Sequence, residues 1–389
     1  MSRPAAAYVA GAYELPLRNA PDKSLGQLQA EAMMGALADA GLEKSDIDGF
    51  FCGPDAPGTG PLSIADYLNL NLRHVDTTNT SGSSYVIHVA HAAQAIAAGK
   101  CNVALITLAG KPRSTGRAKG ALVRNDNPDQ PDYQWEYPFG LAVLNVYAMV
   151  AKRHMYEYGT TSEQLAWIKV AASKHAQYNP LALLPKVVTT EEVLESSLVC
   201  DPLHRLDCCV VTDGGGALLV VKPEIARSLK RPLVKVIGFG EAPVGQNGGY
   251  FDITTTGAAQ SGWRAFEQAG VTPADIRYAS LYDSFTITVL VQLEDLGFCK
   301  KGEGGRFVAD DGLVAGIGKL AVNTDGGGLC NNHPGNRGGM TKMIEAVRQV
   351  RGEAHPSVQV PNCNLALANA IGGQLAVRHA SATVILERG

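Results

Sequence analysis

The chain predicts an α/β fold built from two similar layered halves, and three observations point there. The first is an internal repeat: Ala36-x-x-x-Ala40-Gly41-x-x-x-x-Asp46-Ile47 recurs as Ala265-x-x-x-Ala269-Gly270-x-x-x-x-Asp275-Ile276. The second is a pair of helix–strand units, Tyr85–Ala98 followed by Val103–Leu108 and Gly339–Arg351 followed by Leu365–Ala370. The third is size. At 389 residues, 46% hydrophobic and 18% charged, the chain can bury a large core and fill two domains or a doubled one.

In each copy of the repeat an Ala-containing amphipathic helix stops at glycine, where a left-handed cap is cheapest. An Asp-Ile turn then leads into an apolar strand, Ile47–Cys52 or Ile276–Tyr282. Tyr85–Ala98 carries small or apolar residues on nearly every face, among them Val86, Val89, Ala90, Ala93 and Ala97, so it reads as a helix packed on several sides. Between the copies, residues from about 110 to 196 form an insertion. It holds a polar run, Asn125–Asp132, an aromatic patch, Tyr133–Phe139, and helical stretches at Leu141–Tyr158 and Ser162–Gln177. The chain divides into 1–230, with the insertion inside it, and 231–389.

Composition narrows the function classes. A formal charge of −3 without a long basic block argues against a nucleic-acid surface. The Ala-rich stretch after Tyr85 is broken by His88, His91 and Gln94 short of a membrane span, and Met1–Gly11 lacks a charged leader with a cleavage site. A cytoplasmic protein is expected. Its eight scattered cysteines read as reduced thiols, and Cys200-x3-His204-x3-Cys208-Cys209 does not have zinc-ribbon spacing, so no metal site is assigned.

Chemistry concentrates in the glycine-rich stretch from Asn323 to Gly339, where backbone can approach a ligand and one imidazole, His333, is available. It resembles the Asn-x-x-Gly-Gly…Gly-His-Pro segment of thiolases, with Asn332 in place of the glycine before histidine. Tyr282-Asp283-Ser284-Phe285 is similar to the His-Asp-Cys-Phe block of sterol-carrier-type thiolases, with tyrosine for histidine. The resemblance covers nearly the whole chain and implies a five-layer αβαβα thiolase fold whose insertion covers the catalytic cavity. Both catalytic cysteines of that family are missing: aligning Ala92–Ile96 places the nucleophile position at Gly82, and the second cysteine falls at Ala370, before Gly372 and Gly373.

The resemblance then assigns Tyr282 as acid/base and His333 as the donor to a developing oxyanion, at opposite ends of the bond being broken. Gly82, Ser83, Ser84, Asp283, Asn331, Gly372 and Gly373 are candidate oxyanion or substrate-binding positions, with Asp283 expected to orient the loop rather than to react. Ser83 and Ser84 also read as simple helix caps. Lys111, Arg113, Arg117 and Lys119 read equally as a contact for coenzyme A phosphates and as a solvated face. Cys330, three residues before His333, is a small buried hydrophobe or a nucleophile.

Loss of both cysteines with the glycine turns and His333 kept implies an acyl-CoA aldolase like those of steroid side-chain degradation. Such an enzyme cleaves a β-hydroxyacyl-CoA without an acyl-enzyme. Coenzyme A thioester is then substrate, with no tightly bound cofactor. The resemblance also implies a homodimer and a small zinc-ribbon/OB-fold partner. The alternatives are an acyltransferase with an unusual nucleophile and a non-catalytic acyl-CoA carrier.

Overall fold

The computed structural model describes residues 7–53, 56–116, 129, 136–140, 142–245, 251–335 and 338–389. Arg117, Lys119, most of Asn125–Asp132 and the Tyr133–Trp135 part of the aromatic patch lie outside these residues.

Among the described residues, each half contributes five strands to one large sheet. The first half gives β1 (Ala7–Glu14), β2 (Gly49–Cys52), β3 (His74–Asp76), β4 (Val103–Gly110) and, beyond the short hairpin β5 (Leu198–Cys200) and β6 (Leu203–His204), β7 (Gly214–Val221). The second gives β8 (Val234–Val244), β9 (Tyr278–Leu281), β10 (Ala321–Val322), β11 (Leu365–Gln374) and β12 (Arg378–Arg388). Their order is β10-β9-β11-β12-β8-β1-β7-β4-β2-β3. Counted within its own half, each set runs third, second, fourth, fifth, first, so the halves mirror each other. They join where β1 pairs antiparallel with β8 through Ala7–Val236, Tyr8–Lys235 and Val9–Val234.

The repeat explains the outer layers. Helices α1 (Leu25–Ala40) and, in the second half, α8 (Ala258–Ala269) end at Gly41 and Gly270 with φ of 71° and 70°. Each lies against a glycine of its half's first strand. A Cβ on Gly11 would sit 2.4 Å from the Ala36 carbonyl oxygen, and one on Gly238 would sit 2.2 Å from that of Ala265. Those two alanines open the repeated motif, so the sequence periodicity marks where helix and strand backbones touch.

The middle layer is made by α3 (Ser84–Ala97) and α11 (Gly339–Arg351), both buried around most of their circumference. Val86, Val89, Ala92 and Ala93 of α3 share a core with Met340, Met343, Ile344 and Val347 of α11 and with strands of both halves. The α1 face has its own core. A third unites α8 and α9 (Thr286–Asp295) with the insertion helices α4 (Val143–Tyr158) and α5 (Ser162–Ala176). These are five layers, as the resemblance implied.

All eight cysteines are free thiols. Among the described residues no helix is long and apolar enough to cross a membrane, and no three His, Cys, Asp or Glu side chains converge on a site for a metal ion. The Cys200–Cys209 segment instead packs against Phe285, through an isolated bridge at Cys208.

Candidate active site

Tyr282 follows β9 directly. Its amide donates to the Asn369 carbonyl of β11 at 3.0 Å, and its carbonyl accepts from Gln292 Nε2 of α9 at 2.6 Å. The backbone is therefore clamped from two sides. His333 reaches the same point on a loop whose amide donates to Thr212 Oγ1 at 3.0 Å.

The two side chains touch: Tyr282 Oη lies 3.0 Å from His333 Nε2, ring edge to ring face, and they are only 3% and 5% exposed. The two residues expected at opposite ends of the scissile bond are in contact with each other here. Burial, then the nearby Tyr147 and Cys209, pushes the Tyr282 phenol well above its ordinary pKa, with the Gly338 backbone pulling the other way. Burial also pushes the His333 imidazole down to about 4, with Asp283 opposing and Lys342 reinforcing. At neutral pH both groups are uncharged.

Burial lowers His88, His175 and His379 to about 4 as well. A histidine depressed on folding binds fewer protons than its unfolded form between pH ~6.5 and the folded value. Its stabilising contribution is whole above pH ~6.5 and is lost as pH falls toward 4, at about 1.4 kcal/mol per pH unit for each group. The melting temperature is therefore expected to fall steeply between pH ~6.5 and 4. A flat profile there would show that these imidazoles are not held neutral.

Gly82 explains the missing nucleophile. A Cβ there would lie 2.6 Å from both Cζ and Oη of Tyr282 and 2.5 Å from the Ile371 carbonyl oxygen. The phenol fills the room that a side chain at 82 would need. Gly372 packs on the same turn, where its Cβ would be 1.6 Å from the Thr80 oxygen and 2.7 and 2.8 Å from the amide nitrogens of Gly82 and Ser83. Those two amide nitrogens therefore border the space that a side chain at 372 would fill. Gly373, with φ of 88°, lies near the end of β11 and pairs with His379 of β12.

Several other candidates serve the scaffold. Ser83 Oγ donates to the Thr80 carbonyl at 3.0 Å and Ser84 Oγ accepts from the Thr80 amide at 3.0 Å, so their hydroxyls shape the local turn. Asn331 is not turned to the pair: its Oδ1 accepts from Arg18 at 2.6 Å and its Nδ2 donates to Asp325 at 3.0 Å. Asn332 accepts from Thr212 Oγ1 and donates to Glu14, which is why a side chain is accommodated where the family has glycine.

Asp283 orients the loop, taking the Gly328 amide at 2.8 Å and the Leu329 amide at 3.2 Å. Its countercharge is Lys342 of α11 at 2.5 Å, with both side chains at most 1% exposed. Cys330 is buried, its thiol 3.2 Å from Lys169 Nζ, and burial raises its pKa. Lys111 and Arg113 hold local structure: Lys111 Nζ donates to the carbonyl oxygens of Pro21 and Lys23, and the Arg113 amide donates to Asp213. Sequence reasoning missed Gln292, in the helix that follows the Tyr282 motif, and Lys342 and Tyr147, which belong to α11 and α4.

Residues 245–388 match the family model described as Thiolase C-terminal domain-like. The chain is 36% identical to a steroid side-chain-cleaving aldolase of Thermomonospora curvata, over 90% of this chain and 91% of that protein. It is 36% identical to the 17-hydroxy-3-oxo-4-pregnene-20-carboxyl-CoA lyase of Mycobacterium tuberculosis, over 84% and 86%. An acetyl-CoA acetyltransferase of Methanothermobacter thermautotrophicus is 33% identical over 90% and 92%. The solved Ltp2-ChsH2(DUF35) aldolase superposes with a TM-score of 0.88 at 34% identity, covering 98% of this chain and 97% of that one. With the fold, the glycine turns and a glycine at the nucleophile position, these likenesses place the chain in the thiolase superfamily, among its aldolase-like members.

Proposed function

We propose that the protein is an acyl-CoA aldolase, a carbon–carbon lyase that cleaves a β-hydroxyacyl-CoA into a ketone or aldehyde and a shorter acyl-CoA. A steroid or another bulky group carries the β-hydroxyl. The observation that carries this reading is the neutral Tyr282–His333 pair standing where a nucleophile's side chain would need room. The names of the similar aldolase and CoA lyase support it.

In a retro-aldol reaction the β-hydroxyl gives its proton to a base, its O–H electron pair becomes the π bond of the carbonyl product, and the Cα–Cβ pair moves into the thioester as an enolate. The resulting enolate then takes a proton at Cα. A phenol and a neutral imidazole that share one hydrogen bond leave one O–H or N–H free for an oxygen that gains charge only in the transition state. Tyr282, kept protonated by burial, is the proton source for Cα, and His333 steadies the charge left beside it. The substrate's thioester supplies the coenzyme A portion, and no tightly bound cofactor enters the scheme.

A cytoplasmic homodimer working with a small zinc-ribbon/OB-fold partner completes the reading. The superposable aldolase, named for both Ltp2 and ChsH2(DUF35), supports a partner of that kind. We take residues 1–230 and 231–389 as the two halves, divided between β7 and β8.

Incubation with a panel of β-hydroxyacyl-CoAs tests the reading. Release of a carbonyl product without added coenzyme A is expected. A strict requirement for free coenzyme A indicates a thiolase, and tight binding without turnover indicates a carrier. Cys330→Ala is expected to keep wild-type kcat, because the thiol is packed against Lys169; a folded but inactive variant would turn the assignment to acyl transfer.

A further inference from the structure

His333 belongs to a loop of the second half, yet its backbone is held by the first. The Thr212 hydroxyl accepts the His333 amide at 3.0 Å, and the Thr212 amide donates to the His333 carbonyl oxygen at 3.4 Å. One residue, just before β7, grips both backbone polar groups of the histidine.

From Thr212 the bonding runs inward. Its hydroxyl donates to Asn332 Oδ1 at 2.6 Å, and Asn332 Nδ2 donates to Glu14 Oε1 at 2.9 Å. Glu14 is fixed in turn by Arg18 at 2.7 Å and Arg348 at 3.3 Å. Thr212, Asn332 and Glu14 are all buried. Every hydrogen in this chain points the same way, from the His333 amide toward the carboxylate, so each bond polarises the next.

Asn332 supplies a link that glycine could not. Its backbone, with φ of −150° and ψ of 122°, is extended and makes no demand for glycine. Asn331 is tied to the same ion pair, since Arg18 donates to the Asn331 carbonyl oxygen at 3.1 Å and to its Oδ1 at 2.6 Å. Two consecutive residues before His333 are thus anchored to Glu14 and Arg18 of the other half.

We infer that Thr212 and Asn332 are positioning residues, through which Glu14 and Arg18 hold the His333 imidazole against Tyr282. The rate effects of this inference rest on the lyase reading; the hold on the loop does not. A hydrogen bond of 3.0 Å between Tyr282 Oη and His333 Nε2 weakens steeply once its distance and angle drift. A loop released at Thr212 lets the imidazole drift without removing a group that touches substrate, so kcat falls and KM holds.

Steady-state cleavage and amide hydrogen exchange on the same proteins test this. Thr212→Val keeps the side chain's shape and loses its hydroxyl. It is expected to lower kcat by about 10- to 10²-fold with KM within about two-fold of wild type, and Thr212→Ser, which keeps the hydroxyl, to recover most of that rate. Placed in His333→Ala, the Thr212→Val change is expected to cost less than about two-fold, because no imidazole remains to be positioned. A merely structural role would cost as much there as in wild type. Should Thr212→Val not fold, Asn332→Gly carries the same expectations. Wild-type kcat in the folded variant, an equal loss in the His333→Ala background, or serine no better than valine at position 212 overturns the inference. Hydrogen exchange reads the hold without turnover: amides of residues 328–335 are expected to exchange about 10-fold faster in Asn332→Gly, while α3 keeps its protection. Unchanged exchange also overturns it. A wild-type protein that cleaves no β-hydroxyacyl-CoA, yet whose loop loosens in Asn332→Gly, sinks the lyase reading and leaves the hold on His333 standing.

Discussion

Tyr282→Phe is expected to lower kcat by about 10²–10⁴-fold, the usual loss when a general acid/base is removed, with KM nearly unchanged. The ring stays, and with it the packing against Gly82 and Gly338, so the melting temperature should move little. His333→Ala removes the donor beside it and should cost about 10²–10³-fold. Because the two groups share one hydrogen bond, their losses should be less than additive, with the double variant close to the worse single one. Steady-state cleavage by the four proteins, each checked for folding, measures this. Full additivity would mean that the residues act separately, and wild-type kcat in folded Tyr282→Phe would remove the tyrosine from the mechanism.

Gly82→Ala is expected to inactivate the enzyme without touching a chemical group. The added methyl meets the Tyr282 phenol at 2.6 Å and the Ile371 oxygen at 2.5 Å, separations that no real Cβ tolerates. Either the tyrosine swings off His333 or the β11 backbone yields. Overpacking of this kind costs about 1–3 kcal/mol of stability. A displacement of about 1 Å in a catalytic group can cost on the order of 10²-fold in rate. Both losses should appear together, in melting temperature and in kcat. An alanine variant with wild-type stability and turnover would show that Gly82 and Tyr282 do not compete for the same space, and the steric explanation for the absent nucleophile would fail.

Much of this architecture was legible because it is written in local pattern. Helix stops at Gly41 and Gly270, the small-residue helix after Ser84 and the strand beginning at Val103 all follow from capping and burial within a few residues. Tyr282, Asp283 and His333 were found because they sit inside recognisable motifs. What stayed hidden was contact between distant segments. Tyr147 and Lys342 reach the site from α4 and α11, and neither has a spacing that ties it to Tyr282 or Asp283. Ser83, Ser84 and Asn331 were plausible ligands by type, yet their polar atoms bond within the scaffold, a matter of rotamer and neighbour that no linear pattern records. The direct Tyr282–His333 contact was likewise invisible, since the motifs place both residues in one cavity without giving the distance between them.

The central claim is that carbon–carbon cleavage proceeds here through an enolate, with no acyl group ever carried by the protein. Single-turnover cleavage of an active β-hydroxyacyl-CoA, quenched at intervals and followed by intact-protein mass alongside both products, tests it most directly. The account predicts that the carbonyl compound and the shorter acyl-CoA appear at the same rate, without added coenzyme A, while the protein mass stays constant. An acyl adduct that forms and decays during turnover, on Cys330 or any other residue, would contradict it.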